Sequence, residues 1–213
     1  MERIRTHEQA QALMASLLPP ERLRHSVCVA DAAEKLARRC GADAEKAWLA
    51  GMLHDCMKYA PPELQQKLCA RNGTPLSAVD LDSPKVWHAF AAAAYLRLEC
   101  GVTDAEILNA VRWHTTGRAG MTLLEKVVFV ADLISDDRVY PDVAQVRALA
   151  AEQLDAAAKY ILEYLFAKLE REGKRMEHPA SRAWYDELIR EAQEGGILHE
   201  PTGTAANACE AAG

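Results

Sequence analysis

Residues 103–134, "TDAEILNAVRWHTTGRAGMTLLEKVVFVADLI", contain two helix starts and, between them, one helix end. Thr103-x-x-Glu106 and Thr122-x-x-Glu125 both fit the capping box, in which a hydroxyl and a carboxylate satisfy backbone N–H groups at a helix N-terminus. Gly117 supplies the residue type that most easily follows a helix in the left-handed conformation. Ile107, Ala110, Val111 and His114 recur at three- and four-residue steps, and Asp132 follows Leu124 and Val128 in the same way. The stretch reads as two amphipathic helices whose inner faces each carry a polar, metal-capable side chain. It shows no alternation of period two. The fold class that follows is all-α.

The same punctuation extends outward. Residues 21–39 read as a helix closed by Gly41. "DAEKAWLAGMLHDCMK" (43–58) reads as the next, with Asp43 as N-cap and "APPE" stopping it near Tyr59–Ala60. A shorter element is expected around 62–70. Ser83-Pro84 starts a helix that runs to Gly101, Asp142-x-x-Gln145 starts another, and 151–172 and 181–193 complete the set. From Glu194 onward small residues without periodicity predict a disordered tail. The organisation expected is one domain over 1–193 and a tail over 194–213.

Composition narrows the function classes. Half of the 213 residues are hydrophobic and the formal charge is −6. That balance argues against a general nucleic-acid binder or a membrane-surface protein, both of which need a basic field. No secretory-type apolar run or spanning segment is visible, so the expected location is cytoplasmic, with no membrane and no nucleic acid as partner. Six cysteines show no CxxC spacing and read as free, mostly buried thiols. A ligand role for Cys56 is not favoured, because the candidate site is built from oxygen and nitrogen donors.

The histidines carry the chemistry. His7, His178 and His199 fall in terminal or loop-like sequence and read as solvated. The other four lie on inner faces: His25 with Cys28, Val29 and Ala32; His54 with Ala47, Ala50 and Gly51; His88 with Ala91, Ala92 and Tyr95; His114 as above. Asp55 stands beside His54 and Asp132 closes its own stripe. Taken alone, a His-Asp dipeptide is close to chance: 7 His and 12 Asp in 213 residues supply roughly 0.4 of them. Five helices each offering a His or Asp to the core are harder to explain singly. Buried polar groups need partners, and imidazoles and carboxylates cannot all satisfy one another. A divalent metal accepts the nitrogen lone pairs and neutralises the carboxylates together. Gly51, Ala91 and Ala131 beside the candidates would let the helices approach. The residues therefore describe a helical bundle with an internal His/Asp metal site, better suited to iron or manganese than to structural zinc.

The ordered set His25, His54-Asp55, His88, His114, Asp132 matches the H…HD…H…H…D signature of HD-domain metal-dependent phosphohydrolases. "RLRHSVCVADAAEKLA", "AWLAGMLHDCMKYAP", "WHAFAAAAYL", the 107–134 block and "VRALAAEQLDAA" resemble one branch, the YqeK-type family of bacterial symmetrical bis(5′-nucleosyl)-tetraphosphatases. The likeness spans roughly residues 1–190. One departure stands out: where that branch has a Glu-Pro pair before an Arg, this chain has Ser135-Asp136-Asp137 and then Arg138.

The resemblance implies an HD-domain helical bundle with a dinuclear metal centre. Iron is the first candidate metal, with manganese, cobalt or magnesium as the others. The implied ligands are His25, His54, Asp55, His88, His114 and Asp132, with Asp55 as the bridge. It implies a dinucleoside polyphosphate substrate, with diadenosine tetraphosphate cut to two ADP by metal-activated water. Asp55 and Lys58 are the implied catalytic residues, Lys58 at the HDxxK position. Arg22, Lys58, Thr115, Thr116, Gly117 and Arg138 are the candidate substrate contacts, with Arg118 a weaker one. Another HD phosphohydrolase, a nucleotide-sensing HD module without turnover and a purely structural bundle stay open at this point. The outer faces of the last two helices are where a homodimer would pair, although nothing in the pattern demands one.

Overall fold

The computed structural model describes residue 4 and residues 6–173 and 178–194. Eleven α-helices occur among them: α1 (His7–Leu17), α2 (Pro20–Cys40), α3 (Ala44–Leu53), α4 (Pro62–Arg71), α5 (Ala78–Leu81), α6 (Trp87–Leu98), α7 (Ala105–Trp113), α8 (Leu123–Ile134), α9 (Val143–Glu152), α10 (Leu154–Arg171) and α11 (Pro179–Glu194). A short 3₁₀ turn, Pro84–Val86, leads into α6. There is no strand among the described residues, as expected.

The centre of the bundle is α8. Leu124, Val127, Val128, Phe129, Val130 and Ala131 are all buried, each large side chain contributing roughly 1.5–3 kcal/mol. Helices α2, α3, α7, α9 and α10 all pack against it; α6 lies against α7 and α4, and α11 against α10. Contact between α2 and α3 depends on Gly51. A Cβ there would stand 3.0 Å from Ala30 Cα and 3.1 Å from Val29 O, both backbone atoms of α2. Ala91, Ala92 and Ala94, all fully buried, do the same for α6. Close helix axes are what allow side chains from several helices to meet at one point.

Several boundaries differ from the sequence reading. The capping box at Thr122–Glu125 forms as expected, but that at Thr103 does not. Asp104 is the N-cap, accepting from the N–H groups of Glu106 and Ile107, while Lys46 of α3 pairs with both Asp104 and Glu106. A tertiary ion pair draws Glu106 away from the box. Helix α3 stops at Leu53 rather than near Tyr59; residues 54–59 continue as tight turns, with Cys56 N–H to Leu53 O at 3.1 Å and Lys58 N–H to Asp55 O at 2.9 Å. Helix α7 likewise ends at Trp113, short of Gly117.

Two of the histidines read as solvated are engaged. His7 stacks on Trp48 with ring centroids 3.7 Å apart. His178 pairs with Asp80 at 3.1 Å and accepts from the Ala180 N–H, opening α11. His199 and the predicted tail beyond Glu194 lie outside the described residues. Cys28, Cys40, Cys56, Cys69 and Cys100 are free thiols, the last three buried. No described helix is long and apolar enough to cross a membrane.

Candidate metal centre

Two helix ends build the middle of the site in the same way. His54 and His114 are the C-cap residues of α3 and α7, where the last carbonyls have no intrahelical partner. His54 Nδ1 lies 2.6 Å from Gly51 O, and His114 Nδ1 lies 2.7 Å from Val111 O. A ring nitrogen that close to a carbonyl oxygen must carry a proton, so both rings spend Nδ1 on their own helix and turn Nε2 inward. The helices end where they do because the imidazole takes over a carbonyl that a further turn would have used.

His25 reaches the same point from the second turn of α2, His88 from the first turn of α6 and Asp132 from the last turn of α8. His25 Nε2 is 3.0 Å from Asp132 Oδ1, His88 Nε2 is 3.1 Å from Asp55 Oδ1, and His88 Nε2 and His114 Nε2 are 3.3 Å apart. The donor atoms fall into three overlapping groups: His25, His54 and Asp55; His54, His114 and Asp132; and Asp55, His88 and His114. Within each group the atoms lie within 4.8 Å of one another. All six residues proposed from the sequence are thus brought together, and Cys56 is not among them.

Burial would raise the Asp55 carboxyl, but His54, His114 and His88 together hold it well below the usual range. Asp132 is also held low, where His25, Arg138 and His54 outweigh burial. Burial pushes His88 down to about 4, helped by His114 and Lys58, and burial likewise lowers His114. Burial would lower His54 as well, but the Asp55 and Asp132 carboxylates beside it raise it, so the centre sets two carboxylates against one raised imidazole and two lowered ones. His54 Nε2 and Asp55 Oδ1 are fully buried without a hydrogen-bond partner; His88 Nε2, though 3.1 Å from that oxygen, is out of hydrogen-bonding alignment. Buried lone pairs left in this state cost about 1–3 kcal/mol each. A divalent metal satisfies them all, so the residues present fit one.

The remaining candidates divide. Arg22 donates to Asp55 Oδ2 at 3.1 Å, and Lys58 Nζ stands 3.1 Å from His88 Nε2 and 3.4 Å from Asp55 Oδ1. Thr115 Oγ is 3.0 Å from His114 Nε2. Arg138 grips Asp132 twice, through its backbone carbonyl at 2.6 Å and through Oδ1. Thr116 and Gly117 are occupied elsewhere. The buried Thr116 hydroxyl donates to Gly117 O, its carbonyl accepts from Ser181 Oγ, and Gly117 packs under Trp184 of α11. Arg118 pairs with the buried Glu125 at 2.9 Å and lies outside the cluster.

A cavity of about 520 Å³ opens beside the cluster, its wall including His114, Thr115, Asp132 and Arg138 and, farther along, Tyr164 and Lys168. Tyr140 stacks on Tyr164 with centroids 5.0 Å apart and donates to Leu133 O. Sequence reasoning missed this wall, because α10 carries no polar residue at a core position that would have marked it. A smaller cavity of about 180 Å³ between α2 and α9 touches none of the six candidate ligands.

An all-helical bundle with this His/Asp arrangement matches the HD domain family model over residues 22–137. The chain belongs to the HD-domain family, whose members are metal-dependent. Among its relatives is the symmetrical bis(5′-nucleosyl)-tetraphosphatase of Bacillus subtilis, 43% identical over 70% of this chain and 80% of the relative. The protein of the same name from Halalkalibacterium halodurans is 34% identical over 86% of this chain and 97% of its own. A crystal structure from Clostridium acetobutylicum, described as a "predicted HD superfamily hydrolase involved in NAD metabolism", superposes with a TM-score of 0.84 at 30% identity. It covers 88% of this chain and 99% of that one.

Proposed function

We propose that this protein hydrolyses dinucleoside tetraphosphates symmetrically, converting diadenosine tetraphosphate and water to two ADP. The observation that carries the reading is the convergence of four imidazoles and two carboxylates beside a cavity, in a chain whose relatives bear the name of that activity. His25, His54, Asp55, His88, His114 and Asp132 would hold the metal. The three overlapping donor groups suit two ions rather than one, and Asp55, the carboxylate that two of the groups share, suits the bridge because its two oxygens can each face an ion. The mixed nitrogen and carboxylate donors suit iron or manganese, the family resemblance puts iron first, and cobalt or magnesium are the alternatives. When bound, the metal supplies Lewis-acid charge neutralisation and lowers the pKa of the attacking water.

The chain's own residues do the rest. Charge in phosphoryl transfer spreads over the phosphoryl oxygens, so catalysis is mainly positioning and electrostatics. Lys58, beside Asp55 and His88 and about a third exposed, presents an ammonium to an incoming phosphate. Thr115 offers a hydroxyl at the same edge. Arg22 and Arg138 hold Asp55 and Asp132 in place, and their remaining N–H groups add positive charge near a polyphosphate in a protein of net charge −6. A cavity of about 520 Å³ takes one nucleotide half and leaves the other to extend outward. The leaving nucleoside diphosphate is already a stable anion and needs little acid assistance.

Product identification tests the reading. Purified protein incubated with diadenosine tetraphosphate should yield ADP alone. AMP together with ATP would overturn symmetrical cleavage, and inertness toward this substrate with turnover of a nucleoside monophosphate would move the protein to another HD phosphohydrolase activity.

A further inference from the structure

Residues 135–138, Ser-Asp-Asp-Arg, contain an interaction that the six candidate ligands do not make among themselves. We propose that Asp137 is a positioning residue for His25: its carboxylate accepts the Nδ1–H of that ring and thereby directs Nε2 into the metal centre. The inference rests on the metal-centre reading above and extends it to a residue outside the HD signature.

The geometry is direct. His25 Nδ1 lies 2.8 Å from Asp137 Oδ2, while its Nε2 faces Asp132. His54 and His114 fix their rings on carbonyls at the ends of their own helices, but His25 has no such option. It sits in the second turn of α2, where the carbonyls one turn back already accept helix hydrogen bonds. A partner must come from another element, and Asp137 is that partner.

The carboxylate is itself held. Ser135 Oγ, on a fully buried residue, donates to Asp137 Oδ1 at 2.8 Å. The turn closes through Arg138 N–H to Ser135 O at 2.9 Å. From α9, Arg147 donates to Ile134 O at 2.8 Å, Ser135 O at 2.7 Å and Arg138 O at 3.3 Å. The loop is thus pinned to the bundle by a second helix, which is what a positioning role requires. Asp136, the neighbouring acid, is exposed and makes no contact with the ring. Carboxylates paired in this way to ligating imidazoles fix the tautomer and strengthen the nitrogen as a donor, and losing them weakens metal binding about 10–100-fold.

The test uses the full chain and manganese as the probe. Equilibrium dialysis should show Asp137→Ala binding manganese about 10–100-fold more weakly than wild type. Asp137→Asn, which keeps an acceptor oxygen but no charge, should lose several-fold, and Asp136→Ala should match wild type. In metal-free protein labelled with 15N-histidine, His25 should be the Nδ1–H tautomer in wild type and lose that preference in Asp137→Ala, a change that simple loosening of the turn does not produce. Wild-type affinity with an unchanged tautomer in Asp137→Ala overturns the proposal and leaves the metal centre standing. A wild-type chain that binds no manganese or other divalent metal overturns both. If the alanine variant does not fold, Asp137→Asn decides alone: a several-fold loss supports the proposal and wild-type affinity overturns it.

Discussion

Gly117→Ala separates a packing role from a substrate role at one position. Gly117 has φ +62°, and a Cβ there would lie 2.2 Å from Trp184 Cε3 and 2.6 Å from Cζ3. An alanine in the left-handed region costs about 1–2 kcal/mol. The clash is worse than the strain, because Trp184 is fully buried and packs edge-on against Phe129 at 4.8 Å. The indole must move by more than 1 Å, roughly, and overpacking of that kind costs about 1–3 kcal/mol. The expected total is about 2–5 kcal/mol, or a melting temperature lowered by about 7–14 °C at the midpoint of that range. Thermal unfolding by circular dichroism reads it. The affinity of whatever protein stays folded for substrate should change little, since Gly117 lies under α11 and not against the cluster. A variant that melts within 2 °C of wild type, roughly the change for 1 kcal/mol or less, but has a strongly raised KM would refute this reasoning and return Gly117 to the phosphate site.

Three further outcomes are expected. Gly51→Ala should lower stability by about 1–2 kcal/mol, as the clash with the α2 backbone outweighs the gain in helix propensity, and should weaken metal retention; a more stable variant would contradict it. Lys58→Ala should lower kcat/KM about 10–100-fold, the worth of a charged hydrogen bond, with metal content unchanged by elemental analysis. The pH effect concerns Asp80. Burial would raise its carboxyl, but hydrogen bonds from Ser77 and His178 lower it further than burial raises it. A folded pKa below the unfolded one means that this contribution is complete above the unfolded value of about 3.9 and is lost as pH falls through the lowered folded value. Trp87 donates to Asp80 O at 2.6 Å, so its indole N–H resonance should shift over that acid window and stay flat in Asp80→Asn.

The sequence displayed the candidate ligands because each sits on the inner stripe of its own helix, where a three- and four-residue period is visible along the chain. His25, His54, His88, His114 and Asp132 all follow that rule, and Asp55 is adjacent to one of them. What lay hidden depends on partners distant in the chain. Thr103 and Asp104 are both good caps by type; Lys46, on another helix, settles the choice. The end of α3 at Leu53 follows from a side-chain-to-carbonyl bond of His54, where the local propensity of "HDCMK" still favours helix. His178 looked solvated because Asp80 is nearly a hundred residues away in the chain. The pairing of His25 with Asp137 spans 112 residues and falls in a turn, where no helical period marks the acid. Gly117 was readable as a special position, but the reason, an indole from α11, was not.

The central claim is that the six residues hold a catalytic metal centre. Elemental analysis of the wild-type chain beside Asp55→Ala, with hydrolysis of diadenosine tetraphosphate followed on the same samples, tests it most directly. Two metal ions per wild-type chain, and loss of both metal and ADP formation in the variant, are the predicted result. Hydrolysis that persists in Asp55→Ala after its metal is gone would contradict the account.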